Sequence, residues 1–377
     1  MRILASLLLA VSMCALTLLF AHDAAQEKDA PPAKKPDAKL VTLHANKIPL
    51  SQALADIAKQ TGIRVEDARG PADETISVDL RRVPFWRALD SIADTAKARV
   101  SLYPTSGRIA LERRAANYRR PPISYEGRFR LCVKKVTATR DAEISKTDPH
   151  AGSTSIAIEV AWDPELLPLY LETRPHGVRA VDDRNNVLTV PDEGSSLAPV
   201  DGRIALGIDL HLPALPRRIE SLRSLEGELS MIGPSKMLHF TFDTLDRLAQ
   251  ANPNDPERRL TQEKVSCHIL KVTLDRQRWT IQVALDYPPV LKQLDTNQSW
   301  VVNNEMALES PDGKKRFVHT NYILESATAR RAIVSYHFRD KGGLERGKAG
   351  NWRVTYRTPA DLIEVPIKFS FKDIALP

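Results

Sequence analysis

The sequence VTLHANKIPLSQALADIAKQTGIRVE, residues 41–66, changes its apolar spacing part of the way along. Val41 and Leu43 alternate with polar residues, which predicts a strand. The apolar residues that follow share one face of a helix: Leu50, Leu54, Ile57 and Ala58. Ser51 near the start and Gly62 just past the end are typical helix boundaries. The stretch therefore predicts a strand, a helix and a second strand.

The same pattern recurs 35 positions later, where Ala88 and Leu89 repeat Ala53 and Leu54. It lies in the stretch ISVDLRRVPFWRALDSIADTAKARVSLY, residues 76–103. Pro84 is well placed to open its helix. We expect helices near residues 50–61 and 84–96. After a turn rich in Pro, Ser and Gly, the stretch GRIALE predicts a last strand, so the expected order is β-α-β, β-α-β, β.

These quoted stretches, in this order and spacing, resemble the secretin and TonB short N-terminal domain. The resemblance covers residues 40–113, under a fifth of the chain. It implies an α+β module that makes protein–protein contacts in the periplasm, and it brings no catalytic residues. The chain departs from the family after this module, because it is too short for a receptor barrel and shows no secretin pore domain.

The remainder of the chain is dominated by strand-like alternation and carries a longer repeat. The matching triplets are Lys135-Val136-Thr137 with Lys271-Val272-Thr273, and Phe240-Thr241-Phe242 with Phe369-Ser370-Phe371. We expect two tandem all-β domains, immunoglobulin-like sandwiches at residues 124–248 and 263–377, joined by a Pro/Asn-rich linker. The first copy has 13 extra residues around 146–152, which predicts a long polar loop. A neutral insertion is favoured there, and a second contact site is the alternative.

The first residues predict the compartment. An apolar run follows Arg2, so residues 1–21 are expected to be an export signal, either cleaved or kept as a membrane anchor. A lipoprotein interpretation through Cys14 fits less well, because Met13 precedes it and apolar residues follow. Residues 22–39 are rich in Ala, Pro, Lys and Asp and predict a disordered linker. The rest of the chain is expected in the periplasm or cell envelope.

Two cysteines in such a compartment invite a disulfide. Phe129 and Leu131 direct the odd-numbered residues of their strand inward, so Cys132 is expected to point outward with Arg130. The same alternation places Cys267 in the core. We therefore expect one exposed thiol, one core thiol and no bridge between them.

No motif names a reaction. The sequence lacks a nucleophile elbow, a phosphate-binding glycine loop, a calcium loop and any histidine pair spaced for a metal. We expect no catalytic residues, no cofactor and no metal. Asp182 and Asp183 form a carboxylate pair, but Asn185 and Asn186 follow them, which favours a turn.

The tryptophans and the net charge of +7 bear on whether the chain binds sugars or nucleic acids. Trp162 and Trp279 align with inward-facing residues, which favours core packing over sugar binding. Trp86 flanks the helical stripe and is expected to be partly buried. Basic residues are spread over the whole chain and interleaved with acids, which favours a solvated surface over a nucleic-acid site.

These features favour a non-catalytic, extracytoplasmic interaction or scaffolding component of the cell envelope. The expected partner is an unidentified envelope protein, and membrane contact is expected only through residues 1–21 if they are retained. Two alternatives stay open. A carbohydrate-binding protein needs a row of exposed aromatic residues, and a hydrolase of envelope polymers needs acids or a nucleophile gathered in one cleft.

Overall fold

Both stretches with helical spacing are helices in the computed structural model of the chain. Helix α1 spans Leu50–Thr61 and helix α2 spans Phe85–Thr95. Their apolar stripes are buried, since packing against strands removes them from water. Gly62 ends α1 with a φ of 75°, a left-handed conformation that glycine adopts without steric cost.

The structure describes residues 38–70, 73–103, 109–140, 152–191, 194–274, 278–288, 299–339 and 352–377. All of them belong to one compact unit, residues 35–377. The expected export segment, nearly all of the expected linker at 22–39 and the polar loop up to residue 151 lie outside the described residues. Within the described ranges, no helix has the length and apolar character needed to cross a membrane.

Residues 40–113, here called the N-terminal module, contain five strands in two small sheets. The strands are β1 Leu40–Pro49, β2 Val65–Asp67, β3 Thr75–Pro84, β4 Ala98–Ser101 and β5 Ile109–Arg113. Strand β1 pairs with β3, and β5 lies between β2 and β4. The two helices and both sheets enclose one apolar core. The order of elements along the chain is the one that the repeat predicts.

The rest of the described chain is mainly β-strand, with one short helix, α3, at Leu245–Gln250. The strands up to that helix are β6 Ile123–Glu126, β7 Phe129–Arg140, β8 Gly152–Trp162, β9 Tyr170–Glu172, β10 His176–Asp182, β11 Val187–Leu188, β12 Leu197–Pro199, β13 Ala205–Pro213 and β14 Ser221–Phe242. Those after it are β15 Arg259–Gln262, β16 Val265–Leu274, β17 Arg278–Asp286, β18 Glu305–Glu309, β19 Arg316–Val318, β20 Asn321–Thr328, β21 Arg331–Arg339 and β22 Arg353–Ala375. The predicted predominance of β structure is confirmed.

These strands form three sheets. The first outer sheet has the order β13-β8-β7-β6, and the second outer sheet has the order β15-β16-β17-β21-β20. A third, eight-stranded sheet contains β14 and β22 side by side and is called the shared sheet. The first outer sheet packs on one part of the shared sheet and the second outer sheet on another, which gives two apolar cores.

Strands β14 and β22 connect the two sandwiches. They have 22 and 23 residues and pair antiparallel almost from end to end. Phe240 and Phe242, from the first copy, therefore lie in the second core. Phe369 and Phe371, from the second copy, lie in the first core. Each copy thus completes the core of the other with the end of its last strand.

The strand pairing explains why residue 227 of β14 is a glycine. Gly227 lies opposite Phe369 of β22. A Cβ atom at this position would lie 2.6 Å from Cζ of the Phe369 ring, closer than packed atoms approach each other. Glycine at position 227 therefore leaves the space that the donated ring occupies.

The segment predicted as a linker between the copies, residues 249–263, carries strand β15 and the buried Arg258. The Arg258 guanidinium donates to the carbonyl oxygens of Ala251 at 2.8 Å and Leu270 at 2.9 Å, and also to that of Leu248. These bonds satisfy carbonyl groups at the end of α3 and tie the segment to the second outer sheet.

The tryptophans on inward-facing positions are buried as predicted. Trp162 and Trp279 are almost fully enclosed, and Trp279 packs edge to face on Trp352 with ring centroids 6.2 Å apart. Trp86, expected to be partly buried, is fully buried as well. None of these three rings is available for stacking on a sugar.

Candidate functional site

A buried ionic cluster fixes the N-terminal module on the first outer sheet. Arg130 of β7 donates two hydrogen bonds to the Asp90 carboxylate of α2, at 2.7 and 3.1 Å. The Tyr125 hydroxyl donates to the same carboxylate at 2.7 Å. Glu159 of β8 lies 3.7 Å from Arg130 on its other side. Asp90, Arg130 and Glu159 are buried, so each charge depends on its partners for compensation.

Burial, with the nearby Asp90 carboxylate, raises the pKa of the Tyr125 phenol above its usual range. The phenol therefore keeps its proton at neutral pH and acts as a donor to Asp90. The cluster joins a helix of the module to two strands of the first outer sheet, to β7 through the Arg130 guanidinium and to β6 through the Tyr125 phenol.

A second set of contacts lies beside the cluster. The Trp86 indole N–H donates to the carbonyl oxygen of Arg128 at 3.2 Å, and Arg128 bonds to the Asp163 carboxylate at 2.7 Å. Lys39, at the entrance to the module, lies 2.5 Å from the Glu165 carboxylate. The module is therefore held at several points and does not hang from a free linker.

Cys132 lies beneath this interface, so the prediction that its thiol is exposed is wrong. Strand alternation does direct it outward with Arg130, but the module covers that face of the first outer sheet. Burial raises the pKa of the Cys132 thiol and that of the core thiol Cys267. Both thiols are free.

The module also carries an open groove between helix α1 and strand β2, here called the α1–β2 groove. Its volume is about 490 Å³, and its lining residues are Ser51, Leu54, Ala55, Ala58, Arg64, Val65, Glu66 and Asp67. Ala55 and Ala58 face it from the helix, and their small side chains leave the strand accessible. Val65 is half-buried in its wall.

Strand β2 is the edge strand of its sheet among the described residues, because the strand order is β2-β5-β4. The Ala68 N–H just after β2 donates to the Leu111 carbonyl of β5 at 2.9 Å. Successive residues of a strand direct their N–H and C=O groups to alternate sides, so every second residue of β2 faces the groove. The groove therefore combines a strand edge with an apolar floor, which is what an added peptide strand needs.

A second concavity, of about 480 Å³, lies between the sandwiches. Two of its polar residues have partners within the chain. Asn304 donates to the Tyr356 and Thr358 hydroxyls, each at 2.9 Å. Glu305 pairs with Arg316 and lies 4.0 Å from Arg357. The cleft therefore also carries charged residues in its lining: Asp201, Arg203, Glu305 and Arg357. Among the described residues, Nε of Arg357 is buried without a hydrogen-bond partner.

The carboxylate pair at 182 and 183 forms the predicted turn. Asp182 accepts hydrogen bonds from the Asn186 side chain at 2.8 Å and from the Asn186 and Arg184 N–H groups at 2.7 and 2.9 Å. These hydrogen bonds lower the pKa of Asp182, and the bond from the Asn186 side chain has the largest effect. Asp183 accepts from the Glu220 N–H at 2.9 Å. Among the described residues no group of three or more side chains is placed to hold a metal.

No residue of the ionic cluster or of the groove is predicted as a site from the sequence, and the structure shows the physical reason. Arg130 is an outward residue on a strand, which normally means a solvated side chain. Asp90 lies 40 positions away on a helix, and no local pattern pairs the two. The only sequence signal for the groove is the pair of small residues, Ala55 and Ala58, beside the apolar stripe of α1.

Comparisons with known proteins place the chain in no family. No family model matches it, and no curated protein matches it. A solved structure that matches is the atomic model of the Salmonella SPI-1 type III secretion injectisome basal body proteins InvG, PrgH and PrgK. The match has 8% identity, covers 89% of this chain and 92% of that chain, and has a TM-score of 0.17. A likeness at this TM-score supports no inference about fold or function.

Proposed function

We propose that this chain is a non-catalytic, extracytoplasmic interaction or scaffolding component of the cell envelope, whose N-terminal module receives a protein partner. The observation that carries this proposal is the α1–β2 groove, an open strand edge beside a helix with small residues. An extended partner segment would pair with β2 and place apolar side chains against Leu54 and Ala58.

The rigid mounting of the module supports the same function. A groove on a module that is held by buried ionic contacts loses little conformational freedom when a partner binds. The contacts of Asp90, Arg130 and Tyr125 therefore favour a scaffold over a mobile tether. The export-type segment at residues 1–21 supports the compartment.

The proposal includes a finer assignment of the fold. The order β1-α1-β2-β3-α2-β4-β5 supports an α+β module of the secretin and TonB short N-terminal type. The two-layer antiparallel packing supports immunoglobulin-like sandwiches that arose by duplication. That module type implies contact with an envelope protein.

In-cell photocrosslinking of the full chain tests the groove. A photoreactive residue at Ala55 points into the groove, and the same residue at Gln52, exposed on the same helix but outside the groove, is the matched control. We expect a discrete adduct with an envelope protein from position 55 and none from position 52. Equal adducts at both positions, or none at 55, would exclude the groove as the contact site.

A further inference from the structure

Strand β20 differs from the other strands of the sandwiches because all eight of its residues are exposed. It is the last strand of the second outer sheet and pairs only with β21 among the described residues. Three consecutive apolar side chains lie on it: Tyr322, Ile323 and Leu324 are 39%, 49% and 39% exposed. An exposed strand edge with apolar side chains is a template for pairing with another strand.

The corresponding edge of the first outer sheet is protected. Its edge strand is β13, whose exposed residues include Gly207, Asp209 and His211. Strand β20 contains no Lys, Arg or Pro, and its one charged residue, Glu325, lies where the register with β21 shifts, so the protection is confined to the middle of the strand. The second copy therefore exposes an apolar edge at a margin where the first copy has a polar one.

Two apolar residues of β20 lie at the margin of the second core. Tyr322 and Leu324 lie opposite Tyr336 and Val334 of β21, both core residues. Val318 of β19 is also exposed, at 41%. The two layers of the sandwich therefore end in an apolar margin that an added strand would cover.

Basic residues lie at both ends of this edge. Arg339 of β21 lies just past the pairing of His337 with Asn321, at the start of β20, and Arg330 and Arg331 lie at its end. All three are exposed, and Arg331 also pairs with the Asp286 carboxylate at 3.1 Å. Two copies that paired through β20 in antiparallel fashion would bring the basic start of one strand toward the basic end of the other, which opposes self-association.

We propose that β20 binds an extended segment of a partner protein by strand addition, and that this segment has apolar side chains at alternate positions and acidic residues at both ends. The apolar side chains would cover Tyr322, Leu324 and Val318, while the acidic ends would meet the arginines. This site is separate from the α1–β2 groove, so each can be tested without the other.

A labelled peptide of alternating Val and Thr with Asp at both ends is the probe, and the same peptide with Lys at both ends is its counterpart. Binding is measured on the full chain by fluorescence anisotropy, together with amide hydrogen exchange over residues 321–328. The edge is blocked by the double variant Tyr322→Lys/Leu324→Lys. Val187→Lys is the matched control, since Val187 is an exposed apolar residue on another edge strand, β11.

We expect the Asp-flanked peptide to bind and to slow exchange over 321–328, and the Lys-flanked peptide to bind about tenfold more weakly. The double variant should lose about tenfold or more in affinity, while Val187→Lys binds as the unmodified chain does. Equal binding of the two peptides, no binding of either, or unchanged binding by the double variant would overturn the proposal. Dimerisation of the chain that the double variant abolishes would identify a second copy as the occupant instead.

Discussion

The outer faces of the two outer sheets have opposite surroundings. On the first, Arg130 and Glu159 are buried under the N-terminal module. On the second, polar side chains bond to one another: Gln282 donates to Ser335 at 3.3 Å and Ser335 donates to Glu325 at 2.7 Å. The first sandwich holds the module, and the second presents an open edge. The two sandwiches thus carry different surfaces.

The strand exchange makes these two scaffolds depend on each other, and core truncation should have the largest effect. Phe240→Ala removes a ring that the first copy donates to the second core and should cost about 3 to 5 kcal/mol. Trp279→Ala, in the same core, should cost about as much. Chemical denaturation followed by tryptophan fluorescence and circular dichroism measures both.

Because β14 and β22 belong to both cores, the two sandwiches should unfold in one transition. Phe369→Ala, in the first core, is the matched variant for Phe240→Ala. If each variant shifted only one of two separate transitions, the sandwiches would be independent domains.

Loss of the ionic cluster should have the second-largest effect on the free energy of unfolding. Arg130→Ala leaves Asp90 and Glu159 buried without their guanidinium, so the free energy of unfolding should fall by about 3 kcal/mol or more. Gln282→Ala, on the outer face of the other sheet, should cost only about 1 kcal/mol. Arg99→Ala breaks an exposed pair with Glu112 and should cost less than about 1 kcal/mol. Similar losses in all three variants would mean that the module does not depend on the cluster.

The buried phenols should make the protein sensitive to alkali. Burial raises the pKa of Tyr287 to about 12, and it also raises the pKa of Tyr125 above the ordinary value of 10.0. The unfolded chain loses these protons first, so the stabilisation is complete below about pH 10 and declines as pH rises further. Denaturation at a series of pH values measures this decline. Tyr287→Phe should make it shallower, and an unchanged slope would exclude that phenol as a cause.

The smallest effect is expected at the open edge. Tyr322→Lys/Leu324→Lys changes only exposed side chains, so the free energy of unfolding should change by less than about 1 kcal/mol. Thermal melting checks this. A large loss would show that these residues support the second core, and the edge would then be structural.

Much of the local structure follows from residue periodicity. The spacing of Leu50, Leu54 and Ile57 predicts a helix, and the alignment of Trp162 and Trp279 with inward residues predicts their burial; the structure contains both features. Such patterns depend on the geometry of one element and its own core.

The arrangement between elements does not follow from periodicity. The triplets Phe240-Thr241-Phe242 and Phe369-Ser370-Phe371 predict inward-facing rings at the end of each strand. They do not show which of the two cores the rings enter, so the exchange of β14 and β22 has no local sequence signal. Alternation shows which way Cys132 points but not what covers it. The α1–β2 groove and the β20 edge likewise depend on which strand lies last in a sheet, which only tertiary pairing determines.

We propose that the α1–β2 groove and the β20 edge receive partner segments, and that the exposed edge strand β11 does not. The most direct measurement is in-cell photocrosslinking of the full chain with the photoreactive residue at Ala55, at Ile323 or at Val187. We expect discrete adducts from the α1–β2 groove at 55 and from β20 at 323, and none from the exposed apolar control at 187. Adducts of equal yield at all three positions, or at none, would contradict the account.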